Sequence, residues 1–241
     1  DGTLEALVEA TSGSYRSVRV RGPLGEEIDA VWGLSGNGET AILEMARASG
    51  LVLVPERLRD PMKSSTYGTG QLILAALDEG CRTIIIGIGG SATNDGGSGM
   101  AMALGGRFID ARGRDIPEGG SALISLQSID LTGLDPRLSS SDILVACDVT
   151  NPLTGQEGAS EVYGPQKGAT TDMVRELDAA LSHFAEVLMS NIGWDVSKLS
   201  GSGAAGGLGA GLIGILGARL ENGVDLVSNA VGLDAALDTA D

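Results

Sequence analysis

The chain has 241 residues, with 16 Lys or Arg, 32 Asp or Glu and a formal net charge of −16. This negative charge excludes non-specific binding to nucleic acids and to anionic membrane surfaces, because both carry negative charge of their own. Hydrophobic residues at 42% and charged residues at 20% exclude a disordered chain and predict one large globular domain or two small ones. A small anionic substrate stays compatible with this composition, because backbone donors can make a local site positive.

The N-terminal part is predicted to form a helix followed by an antiparallel meander. The helix is expected at Leu4–Ala10, and the strands at Tyr15–Arg21, Glu26–Gly33 and Thr40–Met45. Short connections rich in Gly, Pro, Ser and Asn separate the strands, as is typical of hairpins. A polar loop then leads to a helix predicted from Gln71 to Leu77.

The next segment has the pattern of a strand, a loop and a helix. Thr83–Ile86 is a β-branched run typical of a strand buried on both faces, and Ser98–Leu104 is helical in pattern. Between them the glycine loop, Gly87–Gly97, frees backbone N–H groups that can hold a phosphate or a carboxylate. The alternative is a tight turn with a structural role. The candidate binding residues of the loop are Gly87, Gly89, Gly90, Ser91, Ala92 and Thr93.

The same loop also fits a relaxed dinucleotide fingerprint through Gly87, Gly89 and Ala92, with Asp110 following a short strand at Arg107–Ile109. That pattern predicts a nicotinamide-dependent oxidoreductase. Two features count against this fingerprint: the carboxylate of Asp95 would sit near the phosphates, and the additional glycines would crowd the helix start. The oxidoreductase is therefore only an alternative interpretation, and a non-catalytic ligand-binding fragment is another.

A second buried strand is predicted at Ile143–Cys147 and ends at Asp148, a position where nucleotide-using α/β proteins often place a magnesium ligand. The other interpretation of Asp148 is a cap for the next turn. A long loop, Val149–Thr171, follows and contains Lys167, whose charge could neutralise a phosphate. An ordinary exposed lysine is the alternative. A helix is expected over Asp172–Met189.

The stretch Gly201–Gly206 has the spacing G-x-G-x-x-G, but the residues before it are polar and do not predict the strand that a dinucleotide site requires. Close helix packing and a backbone approach to a ligand remain open for it. The uncharged stretch Gly203–Ala218 is too short to span a membrane. A last helix is predicted from Asn229.

Two cysteines, Cys81 and Cys147, are too few for a disulfide framework and predict reduced thiols in a cytoplasmic protein. The hydroxyls of Ser65 and Thr66 precede a predicted helix, where capping is the first interpretation and contact with a polyhydroxy substrate the second.

Five blocks in order along the chain resemble the bacterial glycerate kinases (glycerate 2-kinase, type I). These blocks are Ser65–Gly70, Ile86–Gly97, Ala146–Leu153, Gly164–Thr170 and Gly203–Gly209. The resemblance implies transfer of the ATP γ-phosphate to D-glycerate with Mg²⁺, giving 2-phosphoglycerate more often than 3-phosphoglycerate. It predicts D-glycerate and ATP as partners and neither nucleic acid nor membrane, and it leaves a homo-oligomer open.

The resemblance also implies a two-domain α/β kinase of which residues 1–241 form the central portion. We expect one main α/β domain here, built on a mixed sheet with an antiparallel N-terminal meander and glycine-rich strand-loop-helix units. Flanking segments of a second, Rossmann-like domain are expected to be missing at both ends. If those segments complete the active site, the chain holds only part of it and is inactive alone.

Within this resemblance, hypothetical roles follow for individual residues. Asp95 is the candidate for orienting or deprotonating the glycerate hydroxyl, and Asp148 the candidate for binding magnesium. Lys167 and Asn151 are assigned to phosphate or substrate contact. The remaining candidate binding residues are Gln166, Ser65, Thr66 and the residues of the glycine loop named above.

Overall fold

The computed structural model describes residues 2–223, 225, 226 and 228 and shows a mixed α/β fold. Its strands are β1 (Ser14–Arg21), β2 (Glu27–Leu34), β3 (Thr40–Glu44), β4 (Thr83–Gly87), β5 (Arg107–Asp110), β6 (Leu126–Asp130), β7 (Asp142–Ala146) and β8 (Arg219–Glu221). Its α-helices are α1 (Thr3–Ala10), α2 (Ala46–Ser49), α3 (Tyr67–Asp78), α4 (Ser98–Ala103), α5 (Ala159–Tyr163), α6 (Thr171–Ile192) and α7 (Ala204–Leu216).

The main sheet has six strands in the order β1-β2-β3-β4-β7-β8. The first three pair antiparallel, which confirms the predicted meander, and β3, β4, β7 and β8 run parallel. The turn between β2 and β3 is fixed by Asn37, whose Oδ1 accepts the Glu39 N–H at 3.0 Å. The fold class expected from the sequence is therefore confirmed.

The central strands are covered on both faces, as their β-branched composition predicted. Ile84 and Ile86 of β4 are fully buried against the layer that contains α3, α4 and α7. Ile85, which points to the opposite face, packs with Leu4 and Leu7 of α1. This alternation follows from the strand geometry, in which successive side chains point to opposite faces.

A second, two-stranded antiparallel sheet consists of β5 and β6 and packs against α6. The rings of Phe108 and Phe184 stack there with centroids 6.5 Å apart. A dinucleotide unit needs β5 beside β4 in the parallel sheet, so the fingerprint based on Asp110 is wrong in this fold. Asp110 instead accepts hydrogen bonds from the Arg114 guanidinium at 2.8 and 3.1 Å.

The second half of the chain contains elements that the sequence did not predict. The predicted loop Val149–Thr171 contains α5 and a 3₁₀ turn at Pro165–Lys167, and the glycine-rich segment ends in β8. The uncharged stretch forms α7, and no helix among the described residues is long and apolar enough to cross a membrane. The helix predicted from Asn229 lies outside the described residues, as does Asp1.

Candidate active site

The carboxyl ends of three parallel strands meet in register at one edge of the sheet. Glu44 pairs with Gly87, and Gly87 pairs with Ala146. A cavity of about 270 Å³ opens above this edge, where ligands bind in open α/β sheets. Its polar and charged lining comes from Thr3, Glu44, Ser91, Cys147, Asp148, Tyr163, Gln166 and Lys167.

The glycine loop presents unused backbone donors to this cavity. Gly89, Gly90 and Ser91 line it, and their N–H groups donate no backbone hydrogen bond within the described part of the chain. Neighbouring groups hold the loop in place, because the Leu51 N–H donates to the Gly90 carbonyl at 2.8 Å and the Ala92 N–H donates to the Ser49 carbonyl at 2.9 Å. Successive free N–H groups in a fixed loop are suited to an oxyanion.

Neither side-chain packing nor backbone conformation requires a glycine at Gly89. A Cβ built there meets no atom within 4 Å, and its φ lies outside the left-handed region. The absence of a side chain therefore leaves room in the cavity and does not relieve crowding or strain. This is the arrangement expected where a ligand must approach the backbone closely.

Lys167 is almost completely buried, with 1% of its surface exposed, and its Nζ donates to the Thr93 carbonyl at 2.7 Å. It forms no ion pair with any described residue. Burial lowers the pKa of Lys167 to about 7, against an opposing effect of the Asp95 charge. The interpretation as an ordinary exposed lysine is therefore wrong.

Asp148 lies one residue past the cavity-lining Cys147, at the carboxyl end of β7, and is exposed. Its Oδ1 accepts the Gly223 N–H at 2.9 Å, so the backbone holds the carboxylate at the cavity rim. No group of three or more His, Cys, Asp or Glu among the described residues could hold a metal ion. One hard oxygen donor fits Mg²⁺, which takes few protein ligands and completes its shell with phosphates and water.

Asp95 does not line the cavity. It is fully buried, and its Oδ2 accepts the backbone N–H and the hydroxyl of Thr66, each at 2.8 Å. The N–H groups of Gly97 and Gly99 donate to the same carboxylate at 3.2 and 3.3 Å. Burial raises the pKa of Asp95, and these four hydrogen bonds oppose the increase.

The other predicted binding residues divide between the cavity wall and the layer behind it. Gly87, Gly89, Gly90, Ser91 and Gln166 line the cavity. Ser65, Thr66, Ala92, Thr93 and Asn151 do not. Asn151 is occupied within the chain, because its Oδ1 accepts the Tyr163 hydroxyl at 2.6 Å and its Nδ2 donates to the Glu157 carbonyl at 2.8 Å. Of these two hydrogen-bonded residues, Tyr163 lines the cavity and Asn151 does not.

Several lining residues were not among the predicted site residues, including Glu44, Cys147, Tyr163 and Ala205. For Glu44 and Cys147 a signal was present, because each lies at or just past the end of a parallel strand. Tyr163 and Ala205 belong to segments distant from the strand ends in sequence. No local pattern indicates that they meet the other lining residues.

The sequence profile of the Glycerate kinase family matches residues 1–241. The chain belongs to this family. The cavity described above is therefore a site in a glycerate kinase family fold, and the residues that line it are candidates for the chemistry of that family.

Individual relatives agree with the assignment. The chain is 55% identical to glycerate 2-kinase of Escherichia coli strain K12, covering 97% of this chain and 61% of the relative. It is 52% identical to glycerate kinase of Bacillus subtilis strain 168, covering 100% of this chain and 63% of the relative. A crystal structure assigned as glycerate kinase 2 of Salmonella typhimurium LT2 superposes with a TM-score of 0.98 at 56% identity, over 100% of this chain and 64% of that one. The chain thus spans a little over three fifths of the length of these relatives.

Proposed function

We propose that this chain carries the phosphoryl-transfer site of a kinase that moves the γ-phosphoryl group of ATP to D-glycerate and forms 2-phosphoglycerate. One observation carries the proposal: Gly89–Ser91, whose backbone N–H groups are free, and Lys167, whose amine is buried, line a single cavity at the strand ends. Relatives named glycerate 2-kinase and glycerate kinase support the choice of substrate.

The division of work follows from what phosphoryl transfer demands, which is positioning and neutralisation of negative charge. The glycine loop holds an anionic group of one substrate through its N–H donors. Lys167 supplies positive charge from the cavity wall, where burial strengthens its electrostatic effect. Gln166, on the same 3₁₀ turn, offers an amide to a substrate hydroxyl or phosphate.

Asp148 would hold Mg²⁺, because it places a carboxylate at the rim of the cavity next to the strand ends. Bound there, the ion would supply charge neutralisation to the nucleotide phosphates. The chain contributes the fixed orientation of that carboxylate through the Gly223 N–H.

We assign Asp95, Ser65 and Thr66 a positioning role. The Asp95 carboxylate joins the end of the glycine loop to the first turn of α3 through Thr66, and it is enclosed on all sides. The Ser65 hydroxyl accepts the Tyr67 N–H at 3.1 Å and so fixes the same turn. These contacts support the loop that carries Gly89–Ser91.

A cytoplasmic location belongs to the same proposal. Cys81 and Cys147 are both free thiols, and ATP and Mg²⁺ are available in the cytoplasm.

A coupled assay for ADP release tests the proposal. We expect the protein to form ADP only when ATP, Mg²⁺ and D-glycerate are all present. Phosphorus NMR of the product distinguishes 2-phosphoglycerate from 3-phosphoglycerate. The variant Lys167→Met should lose at least tenfold in kcat/KM, whereas Lys198→Met, which changes an exposed lysine, should not.

The outcomes separate the alternatives. No ADP release with D-glycerate would overturn the substrate assignment. Binding of NADH in place of ATP, followed by fluorescence, would contradict the assignment of ATP as the co-substrate. An assay of residues 1–241 alone, run beside the natural protein, shows whether the site functions without flanking segments.

A further inference from the structure

The first turn of α7 carries backbone donors that the fold leaves unused. Ala205, Gly206 and Gly207 have φ of 53°, 70° and 87°, so these three residues are not right-handed helical and form a kink near the start of α7. Ala205 and Gly206 lie so near the start of α7 that the carbonyls within helical hydrogen-bond range of their N–H groups precede the helix. Among the described residues, neither N–H donates to one of these carbonyls. Gly206 is buried, and a buried N–H without an acceptor is rare in folded proteins.

This turn adjoins the amine of Lys167. The Thr93 carbonyl oxygen accepts from Nζ at 2.7 Å, and a Cβ at Gly206 would overlap the same oxygen. Ala205 and Lys167 both line the cavity. Only one of the three Nζ protons has an acceptor among the described residues, so two donors remain for a ligand.

We propose that the Lys167 amine, the Ala205 N–H group and the N–H group of the adjacent buried Gly206 form a second oxyanion site at the cavity wall, which Lys167 and Ala205 line, separate from the N–H groups of Gly89–Ser91. The ligand class is a carboxylate or a phosphoryl group of a small substrate. This inference rests on the proposed function, because that function requires the cavity to hold two anionic groups at once.

Charge and burial support the second site. A buried ammonium without a counter-ion is unfavourable, and burial accordingly lowers the pKa of Lys167. An anion beside Nζ would supply the missing partner and stabilise the protonated amine. Phosphoryl transfer to a hydroxy acid brings together a carboxylate and a phosphoryl group, so two separate donor sets match the two charges.

Amide NMR of the ¹⁵N-labelled protein tests the site directly. We expect titration with D-glycerate, with inorganic phosphate, or with both to shift the Ala205 and Gly206 N–H signals downfield, as hydrogen bonding to an anion does. The ligand that produces the shift identifies the group bound. In Lys167→Met the apparent affinity at these two amides should fall at least tenfold, whereas Lys198→Met should bind as the parent does.

The possible results are distinguishable. Shifts confined to Gly89, Gly90 and Ser91 would overturn the second site and leave the proposed function standing. No shift at either set of amides would count against both. Because the titration of the parent protein needs no variant, the test stands even if Lys167→Met fails to fold.

Discussion

Asp95 and Thr66 are joined twice, because the carboxylate accepts both the backbone N–H and the hydroxyl of Thr66 at 2.8 Å. The Thr66 hydroxyl oxygen in turn accepts the Met100 N–H at 2.9 Å. The buried side chain of Thr66 therefore connects the start of α3 to the first turn of α4 and, through Asp95, to the end of the glycine loop.

Asp95→Asn should lower the free energy of unfolding by about 1–3 kcal/mol, because the amide nitrogen cannot accept the hydrogen bonds that one carboxylate oxygen receives. Chemical denaturation measures the loss. The control Asp29→Asn changes an exposed carboxylate and should stay within about 0.5 kcal/mol of the parent. Equal stabilities of the two variants would contradict the assigned positioning role.

Gly89→Ala should separate binding from stability. A Cβ at this position meets nothing within 4 Å, so we expect stability to stay unchanged or to rise by up to about 1 kcal/mol. The methyl group would occupy ligand space, and the affinity for phosphate or D-glycerate, measured by calorimetry, should fall at least tenfold. Unchanged affinity would show that the ligand does not approach this part of the loop.

Lys167→Met should change the pH dependence of stability. The folded pKa of Lys167, about 7, lies below its ordinary value of 10.5, so between these values the unfolded chain holds a proton that the folded chain lacks. Stability from this group therefore rises with pH across that window. Relative to Lys167→Met, the parent should gain up to about 1.4 kcal/mol per pH unit from about pH 7 to about pH 10.

The other charged and titratable groups near Lys167 remain in the variant, and Lys198→Met serves as the exposed control. These groups are Asp95 on the glycine loop, Arg59 and Asp60 on the preceding loop, Tyr163 on α5, and Glu44, Cys147 and Asp148 on the cavity wall. Denaturation at several pH values gives the comparison. Parallel pH profiles for the parent and Lys167→Met would mean that the amine keeps its charge throughout.

Gly206→Ala and Gly217→Ala form a matched pair, because both glycines have left-handed φ, of 70° and 65°. At Gly217 a Cβ meets nothing within 4 Å, so only the backbone penalty of about 1–2 kcal/mol applies. At Gly206 the Cβ would overlap the Thr93 carbonyl, and a further 1–3 kcal/mol or so is expected from overpacking. Thermal unfolding measures both, and equal losses would contradict the close packing of α7 on the glycine loop.

Cys147 should report occupancy of the cavity. It lines the cavity, whereas Cys81 is fully buried, so a thiol reagent should modify one cysteine per folded chain. Burial raises the pKa of Cys147, and modification should accelerate as pH rises. D-glycerate or ATP with Mg²⁺ should slow it. Cys147→Ser should remove the reaction, and modification at an undiminished rate in saturating ligand would place the ligand elsewhere.

Much of the fold was predictable because it depends on local composition. The β-branched run Thr83–Ile86 predicted a strand buried on both faces, and the glycines after it predicted a loop with free N–H groups. The strands of the meander were predicted because turn residues separate alternating runs. The pairing of β5 was not, because Arg107–Ile109 alone does not show whether its partner is β4 or β6.

The family, the strands of the meander, the buried strands β4 and β7 and the presence of a glycine loop could be predicted because each depends on residues that are adjacent along the chain. Which polar groups face the cavity depends on tertiary packing. Asp95 and Lys167 were equal candidates in the sequence, yet packing encloses the carboxylate among four donors and places the amine at the cavity wall. The reason is physical: the surroundings of a charge come from segments distant in sequence, here α3, the glycine loop and the first turn of α7, and those surroundings determine its solvation and its partners.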